Sequence, residues 1–136
     1  MRILILGAGI MQGPAIEIAN NMGWQSIVVD GDAQAANRHL AHYFEAIDLK
    51  DSDSLVALGR HYHIDGVFTA GTDFSLSVAI VAQALGLPGI PIEVALNASN
   101  KAQMRHCFEK AGIPSPKYSV LDSLEFDINT LPPFPL

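Results

Sequence analysis

Residues 2–19 read RILILGAGIMQGPAIEIA, and the way this stretch divides decides the fold. RILIL (2–6) is a short apolar run. The segment from Ala15 onward carries apolar residues at helical spacing. Between them, GAGIMQGPA (7–15) holds two glycines in Gly-x-Gly spacing, a third at Gly13, and then Pro14. A strand apolar on both faces, a tight glycine turn and an amphipathic helix form the first unit of a parallel α/β sheet.

The pattern repeats along the chain. SIVV (26–29) and GVFTA (66–70) are continuously apolar, as strands buried on both faces must be. FEAIDL (44–49) is weaker and is expected nearer an edge. In the first helix, Ala15, Ile18, Ala19 and Met22 are expected to share the buried face. An alanine-rich second helix is expected over residues 33–40. A third follows the cap candidates Asp51 and Ser52, with Leu55, Leu58 and Tyr62 on one face. A fourth runs from Asp73 as N-cap to Gly86, with Phe74, Val78, Val81, Ala82 and Leu85 on one stripe. The order β-α-β-α-β-α-β-α predicts a Rossmann-like, doubly wound parallel sheet. In such sheets the ligand crevice lies beyond the carboxyl ends of the strands. Residues 7–13, 30–32 and 71–73 are therefore expected to share one rim.

After Leu85 the alternation stops. A short helical piece precedes a clear helix with Ser99 as N-cap. Met104, Cys107, Phe108 and Ala111 are expected on its buried face, with Gly112 at its end. IPSPKYSVLD (113–122) reads as an extended exit, and the proline-bearing tail SLEFDINTLPPFPL (123–136) as a linker. The expected division is a domain over 1–112 and a linker over 113–136.

Composition narrows the function classes. A chain of 136 residues, 49% hydrophobic and 16% charged, has the size and the core of one folded domain. Its net charge of −6, with the Lys and Arg scattered singly, argues against nucleic acid or an anionic membrane as partner. The single cysteine, Cys107, cannot form an internal disulfide, so a cytoplasmic setting is expected. Gly7, Gly9 and Gln12 break the apolar start too early for a signal peptide.

The glycine loop is the first candidate site. Gly7 and Gly9 permit a tight turn and close approach of a ligand to the backbone. A helix start offers free amides to an anion, and Asp30 ends the second strand, where a dinucleotide enzyme binds ribose. Two details resist that reading. Gly13 is one position late for Gly-x-Gly-x-x-Gly, and Pro14 removes an amide that would face a pyrophosphate. Thr72 and Asp73, in AGTD (70–73), stand at the same expected rim. Lys101 and Arg105 lie one helical turn apart and read, on spacing alone, as a solvated face. The histidines offer no third ligand for a metal, and no Ser-His-Asp or Cys-His arrangement is visible. No catalytic residue is assigned.

The pieces taken in order resemble the N-terminal, pre-ATP-grasp domain of ATP-grasp enzymes. Biotin carboxylase, the carbamoyl-phosphate synthase large chain and the purine ribonucleotide ligases are such enzymes. The resembling stretches are ILGAGIMQGPAIEIA, VVDGDAQAANRHLA, HIDGVFTAGTDFS, ALGLPGI and NKAQMRHCFEKAGIPSPKY, together covering about residues 1–118. The resemblance implies that Gly7, Gly9, Met11, Gln12 and Gly13 face an acceptor-substrate pocket. It implies that Gly71, Thr72 and Asp73 line the same pocket, and that Lys101 reaches toward a nucleotide. It implies ATP and Mg2+ in a full-length enzyme that activates a carboxylate as an acyl phosphate for attack, often by an amine. The lysines, glycine-rich flap and metal-binding carboxylates of the ATP-grasp fold are not in this sequence. The chain is therefore expected to be a truncation or domain that binds neither ATP nor Mg2+ tightly by itself. The expected partners are a small carboxylate or amine substrate and an ATP-grasp domain in cis, with a homodimer compatible. The alternative is an NAD(P)-binding regulatory module, which Asp30 favours. A third reading is an interaction domain that dimerises through an apolar face.

Overall fold

The computed structural model describes residues 1–131. Four parallel strands form one sheet: β1 (Arg2–Leu6), β2 (Gln25–Asp30), β3 (Tyr43–Ala46) and β4 (Gly66–Thr69), in the order β3-β2-β1-β4. Helix α1 (Gly13–Asn21) links β1 to β2, and α2 (Ser52–Tyr62) links β3 to β4. Helices α3 (Ser75–Leu85), α4 (Ile92–Ser99) and α5 (Lys101–Lys110) follow the sheet. This is the expected α/β, Rossmann-like architecture, with β3 at an edge as its weaker pattern predicts.

The strands divide the core into two layers. Leu4, Leu6, Ile27, Val29 and Val67 point to one face, where they pack with Leu55 of α2 and Val81 and Ala82 of α3. Ile3, Ile5 and Val28 point to the other, beneath Ile16 and Ala19 of α1. Strand residues alternate sides, so a strand buried on both faces must be apolar at every position.

Several local expectations are corrected. The buried face of α1 is Gly13, Ile16 and Ala19, whereas Ile18 and Met22 are exposed. A 3₁₀ turn at Ile10–Gln12 precedes α1 and sets which side of the helix meets the sheet. No second α-helix forms over residues 33–40; turns lead to a 3₁₀ turn at Arg38–Leu40. Asp32 Oδ1 accepts from Gln34 N–H at 2.8 Å, and Ala8 O from Asn37 N–H at 2.8 Å, so the backbone there is already satisfied in a non-helical form. Asp51 caps α2 as expected, accepting from Ser54 N–H at 3.1 Å and from Ser54 Oγ at 2.6 Å. These bonds favour its charged form and hold its carboxyl below the usual value. Asp73 does not cap α3: the helix starts one residue later than expected, with Phe74 at the N-cap and no side-chain cap bond. Asn100, not Ser99, caps α5, its side chain accepting from Gln103 N–H at 3.1 Å. The α5 face of Met104, Cys107 and Phe108 is half-buried, and Ala111 is exposed. Gly112 does end the helix, in the left-handed conformation.

Candidate functional site

The strand order reverses at β1. The chain moves outward through β2 and β3, then returns to place β4 on the other side of β1. At such a switch point the loops after the two strands diverge and leave a crevice. Here a cleft of about 270 Å³ opens among Gly7, Gly9, Gln12, Asp30, Asp48 and Thr72, with Gly31, Leu49 and Phe74 completing its walls. A larger concavity, about 660 Å³, lies between α5 and the segment after Gly112, where Arg105 Nη1 donates to Ser115 Oγ at 2.9 Å. None of its lining residues comes from the loops at the strand ends.

Three side chains hold the glycine loop. Asp30 Oδ2 accepts from Ala8 N–H at 2.8 Å, while its Oδ1 accepts from Asp32 N–H at 2.9 Å. Asn37 Nδ2 donates to Gly9 O at 2.6 Å. Gln12, only 4% exposed, folds back over the loop, and its Nε2 donates to Ala70 O beyond β4. Gln12 thus spans the crevice from the β1 side to the β4 side. Gly7 has φ +105°, and a Cβ on it would lie 3.1 Å from Gln12 Cγ and Cδ. A Cβ on Gly9 would lie 3.0 Å from Gln12 Oε1. The glycines therefore make room for the glutamine of their own chain.

This arrangement differs from a pyrophosphate cradle in three ways. A carboxylate already takes the Ala8 amide. The space above the glycines holds an amide side chain. The cleft walls carry Asp30 and Asp48 and no Lys, Arg or His. Anion binding at a helix start needs free amides and a positive field. Asp30 and Gln12 remove both, so the geometry opposes the NAD(P) alternative.

The opposite rim is fixed by hydroxyls. Thr69 Oγ1 donates to Leu6 O at 2.8 Å, which leaves its oxygen to accept from Thr72 Oγ1 at 2.5 Å. Of the residues proposed from sequence, Gly7, Gly9, Gln12 and Thr72 line the cleft. Met11 is exposed on the rim and lies over Gly71, its Cβ 3.2 Å from where a Gly71 Cβ would stand. Gly13 is buried against Asn37, whose Nδ2 is 2.9 Å from a Gly13 Cβ position, and so faces away from the cleft walls. Asp73 is exposed and outside the lining. Lys101 is exposed at the first position of α5. Ser75 Oγ lies 3.1 Å from Ser99 Oγ, which brings the α4–α5 corner to the start of α3, just beyond Thr72. Sequence reasoning missed Asp48, Leu49 and Phe74 as walls and Asn37 as a loop tether. Asn37 sat inside the expected second helix, where nothing marked it out.

Comparison with known proteins places this geometry in a family. A family model described as the ATP-grasp N-terminal domain matches residues 16–89. A formate-dependent phosphoribosylglycinamide formyltransferase of Methanocaldococcus jannaschii is 28% identical over 127 residues, covering 92% of this chain and 33% of the relative. The chain thus spans about a third of the length of the curated relatives it matches. Among solved structures, a phosphoribosylglycinamide synthetase from Anaerococcus prevotii superposes with TM-score 0.77 at 25% identity, over 90% of this chain and 32% of that one. An L-amino acid ligase from Bacillus licheniformis shares the fold with TM-score 0.70 at 20% identity, over 92% of this chain and 35% of that one. With more than half of its residues inside the family match and the switch-point cleft in place, the chain belongs to the ATP-grasp N-terminal domain family.

Proposed function

We propose that this chain is the substrate-side domain of an ATP-dependent carboxylate–amine ligase working through an acyl phosphate. The observation that carries the reading is the switch-point cleft, built on the family's fold yet closed to a dinucleotide by Asp30 and Gln12. In this reading Gly7, Gly9, Gln12 and Thr72 form one wall of the acceptor-substrate pocket, with Met11 and Gly71 on its lip. Residues 1–112 are the folded domain, and residues 113–136 lead toward an ATP-grasp domain in cis.

Mg-ATP does not fit the residues of this cleft. Its walls carry carboxylates without a cation. Among the described residues no group of three or more His, Cys, Asp or Glu could hold a metal ion. The nucleotide and its metal are therefore assigned to the ATP-grasp part, where the metal would neutralise the transferring phosphoryl group. Lys101 is this chain's contribution to that side. A cation in the first turn of a helix opposes the helix dipole, and the Ser75–Ser99 contact, which joins the α4–α5 corner to the start of α3, supports this role. A cytoplasmic enzyme and a homodimer belong to the same reading. Ile10, Ile18 and Met22 present exposed apolar surface at and beyond the start of α1, which supports pairing. Among the described residues no helix is long and apolar enough to cross a membrane.

The test joins this chain to the nucleotide-binding part of a relative and follows ATP labelled at the β–γ bridging oxygen. Positional isotope exchange that requires a carboxylate substrate is expected, and Lys101→Ala should raise the KM for ATP. Calorimetry with NAD(H) supplies the counter-test. Tight binding abolished by Asp30→Ala would replace this reading with the dinucleotide one.

A further inference from the structure

The chain after Ser99 holds to itself more than to the sheet. Helices α1, α2, α3 and α4 each contribute buried residues, in α4 the single Ala95, whereas α5 contributes none. Its face of Met104, Cys107 and Phe108 is half-buried, and it packs on α4. Every residue over 109–129 is exposed. The hydrogen bonds of α5 run along its own turns, back to Asn100 and on to Ser115. Met104 N–H donates to Asn100 O at 2.9 Å, Ile113 N–H to Phe108 O at 2.9 Å, and Arg105 Nη1 to Ser115 Oγ at 2.9 Å. Leu131 returns to line the same groove as Arg105.

The joint between this part and the rest is one residue wide. Helix α4 ends at Ser99 and α5 begins at Lys101. Asn100 between them is extended, with φ −87° and ψ 112°. Ser99 Oγ donates its hydrogen to Ala95 O at 2.8 Å, so Ser75 is the donor across the 3.1 Å between the two serine hydroxyls. Helix α3 thus holds α4 up to its last residue. The Asn100 side chain belongs to the far side of the joint, where it accepts from Gln103 N–H at 3.1 Å.

We propose that residues 101–131 form an arm that opens as one unit about Asn100 while the sheet and α4 stay folded. Local opening is cheapest where few buried apolar contacts are lost, and a residue at the end of an element can absorb the change in φ and ψ. The use of the arm rests on the acceptor-pocket reading. It carries Lys101 and the exit toward the nucleotide-binding part, so its swing sets how that part approaches the cleft. The opening itself is independent of what the cleft binds, so its failure and the failure of that reading are seen in separate experiments.

The experiment is native-state amide hydrogen exchange of the full chain, read by NMR in water and in low urea. A detached helix of 10 residues does not keep its amides protected in water, so opening of the arm is visible as exchange in α5. The amides of Met104 to Ala111 should exchange as a set. Their protection should be about a hundredfold weaker than that of Leu4, Ile5, Val28 and Val29, with a shallower dependence on urea because little surface is exposed. The amides of Leu96 to Asn100 should stay more protected than the α5 set. Phe108→Ala trims the half-buried face and should speed the α5 set about tenfold while leaving the sheet unchanged. Ile27→Val, in the middle of β2, should speed the sheet several-fold and leave the α5 set unchanged. A common protection and urea slope for α5 and the sheet overturns the proposal. Exchange of α4 together with α5 also overturns it, since the joint would not be Asn100. So does an α5 set with no protection, since no arm would then be formed.

Discussion

Asp30→Ala tests the central claim about the glycine loop, that a carboxylate from β2 holds it. Asp30 accepts two backbone N–H groups, from Ala8 at 2.8 Å and from Asp32 at 2.9 Å. They are unequal. Ala8 is fully buried, so its N–H finds no water when the carboxylate goes, whereas Asp32 is exposed and its amide is hydrated instead. Losing a charged acceptor from a buried amide is worth about 1.5–3 kcal/mol, and losing one from a hydrated amide about 0.5 kcal/mol. Asp30→Ala should therefore destabilise the fold by roughly 2–3 kcal/mol. Asp30→Asn keeps one oxygen, which the buried Ala8 amide will claim. Its cost should be about 1 kcal/mol, the difference between a charge-assisted and a neutral bond. Urea unfolding reads both values. With a slope of about 1–3 kcal/mol/M, the alanine variant should lose about 1 M or more in midpoint at constant slope. Amide hydrogen exchange adds site resolution, since Ala8 should lose protection in the alanine variant before the centre of β1 does. The account requires the alanine variant to unfold earlier than the asparagine variant by more than experimental error; equal midpoints, with Ala8 still protected, would refute it.

Gly7→Ala forces a side chain into φ +105° and places its Cβ 3.1 Å from Gln12, so a loss of about 1–3 kcal/mol is expected in thermal or urea unfolding. Ser26 is fully buried, its Oγ 2.8 Å from Asn20 Oδ1 and accepting from His42 N–H at 3.2 Å; Ser26→Ala orphans both partners and should cost about 1–3 kcal/mol by the same assay. Burial, and then the neighbouring Glu45 carboxylate, raise the Tyr62 phenol above its usual value of about 10, with the hydroxyl 3.5 Å from Glu45 Oε1. Its proton is held more firmly in the folded state. The stability this contributes is therefore present below the unfolded value and is lost as pH rises through the folded one. Phenolate absorbance should show one late-titrating tyrosine that disappears in Tyr62→Phe and titrates earlier in Glu45→Gln.

The sheet was legible because burial on both faces leaves a strand few options. RILIL and SIVV are the central parallel strands, whereas GVFT, with the same apolar pattern, forms β4 at an edge. The rim followed from topology. The faces of helices were harder to read, because α1 is apolar on more than one side. Ile16 and Ile18 both look like core, and only the entry through the Ile10–Gln12 turn selects Ile16. Residues 33–40 were misread because composition favoured a helix while Asp32 and Asn37 tied the backbone elsewhere. The cleft was half legible. Its glycines announce themselves, but Gln12 is an ordinary residue whose importance comes from a bond across 58 positions of sequence to Ala70.

That long-range bond also explains how one scaffold can carry different ligand chemistry in the same place. Strand order alone fixes where the crevice lies, since it must open where neighbouring crossovers diverge. The glycines fix how closely the backbone can approach it. Neither determines the sign of the ligand. In this chain two side chains act on the loop itself and oppose an anion: Asp30 takes the Ala8 amide, and Gln12 sets its oxygen beside Gly9. A fingerprint of glycines is thus a statement about space, and the residues that fill the space decide the chemistry. The late Gly13 and Pro14 belong to the same logic. The helix starts after a 3₁₀ turn, Pro14 has no amide N–H to offer, and Gly13 packs against Asn37, so Gln12 is delivered over the loop.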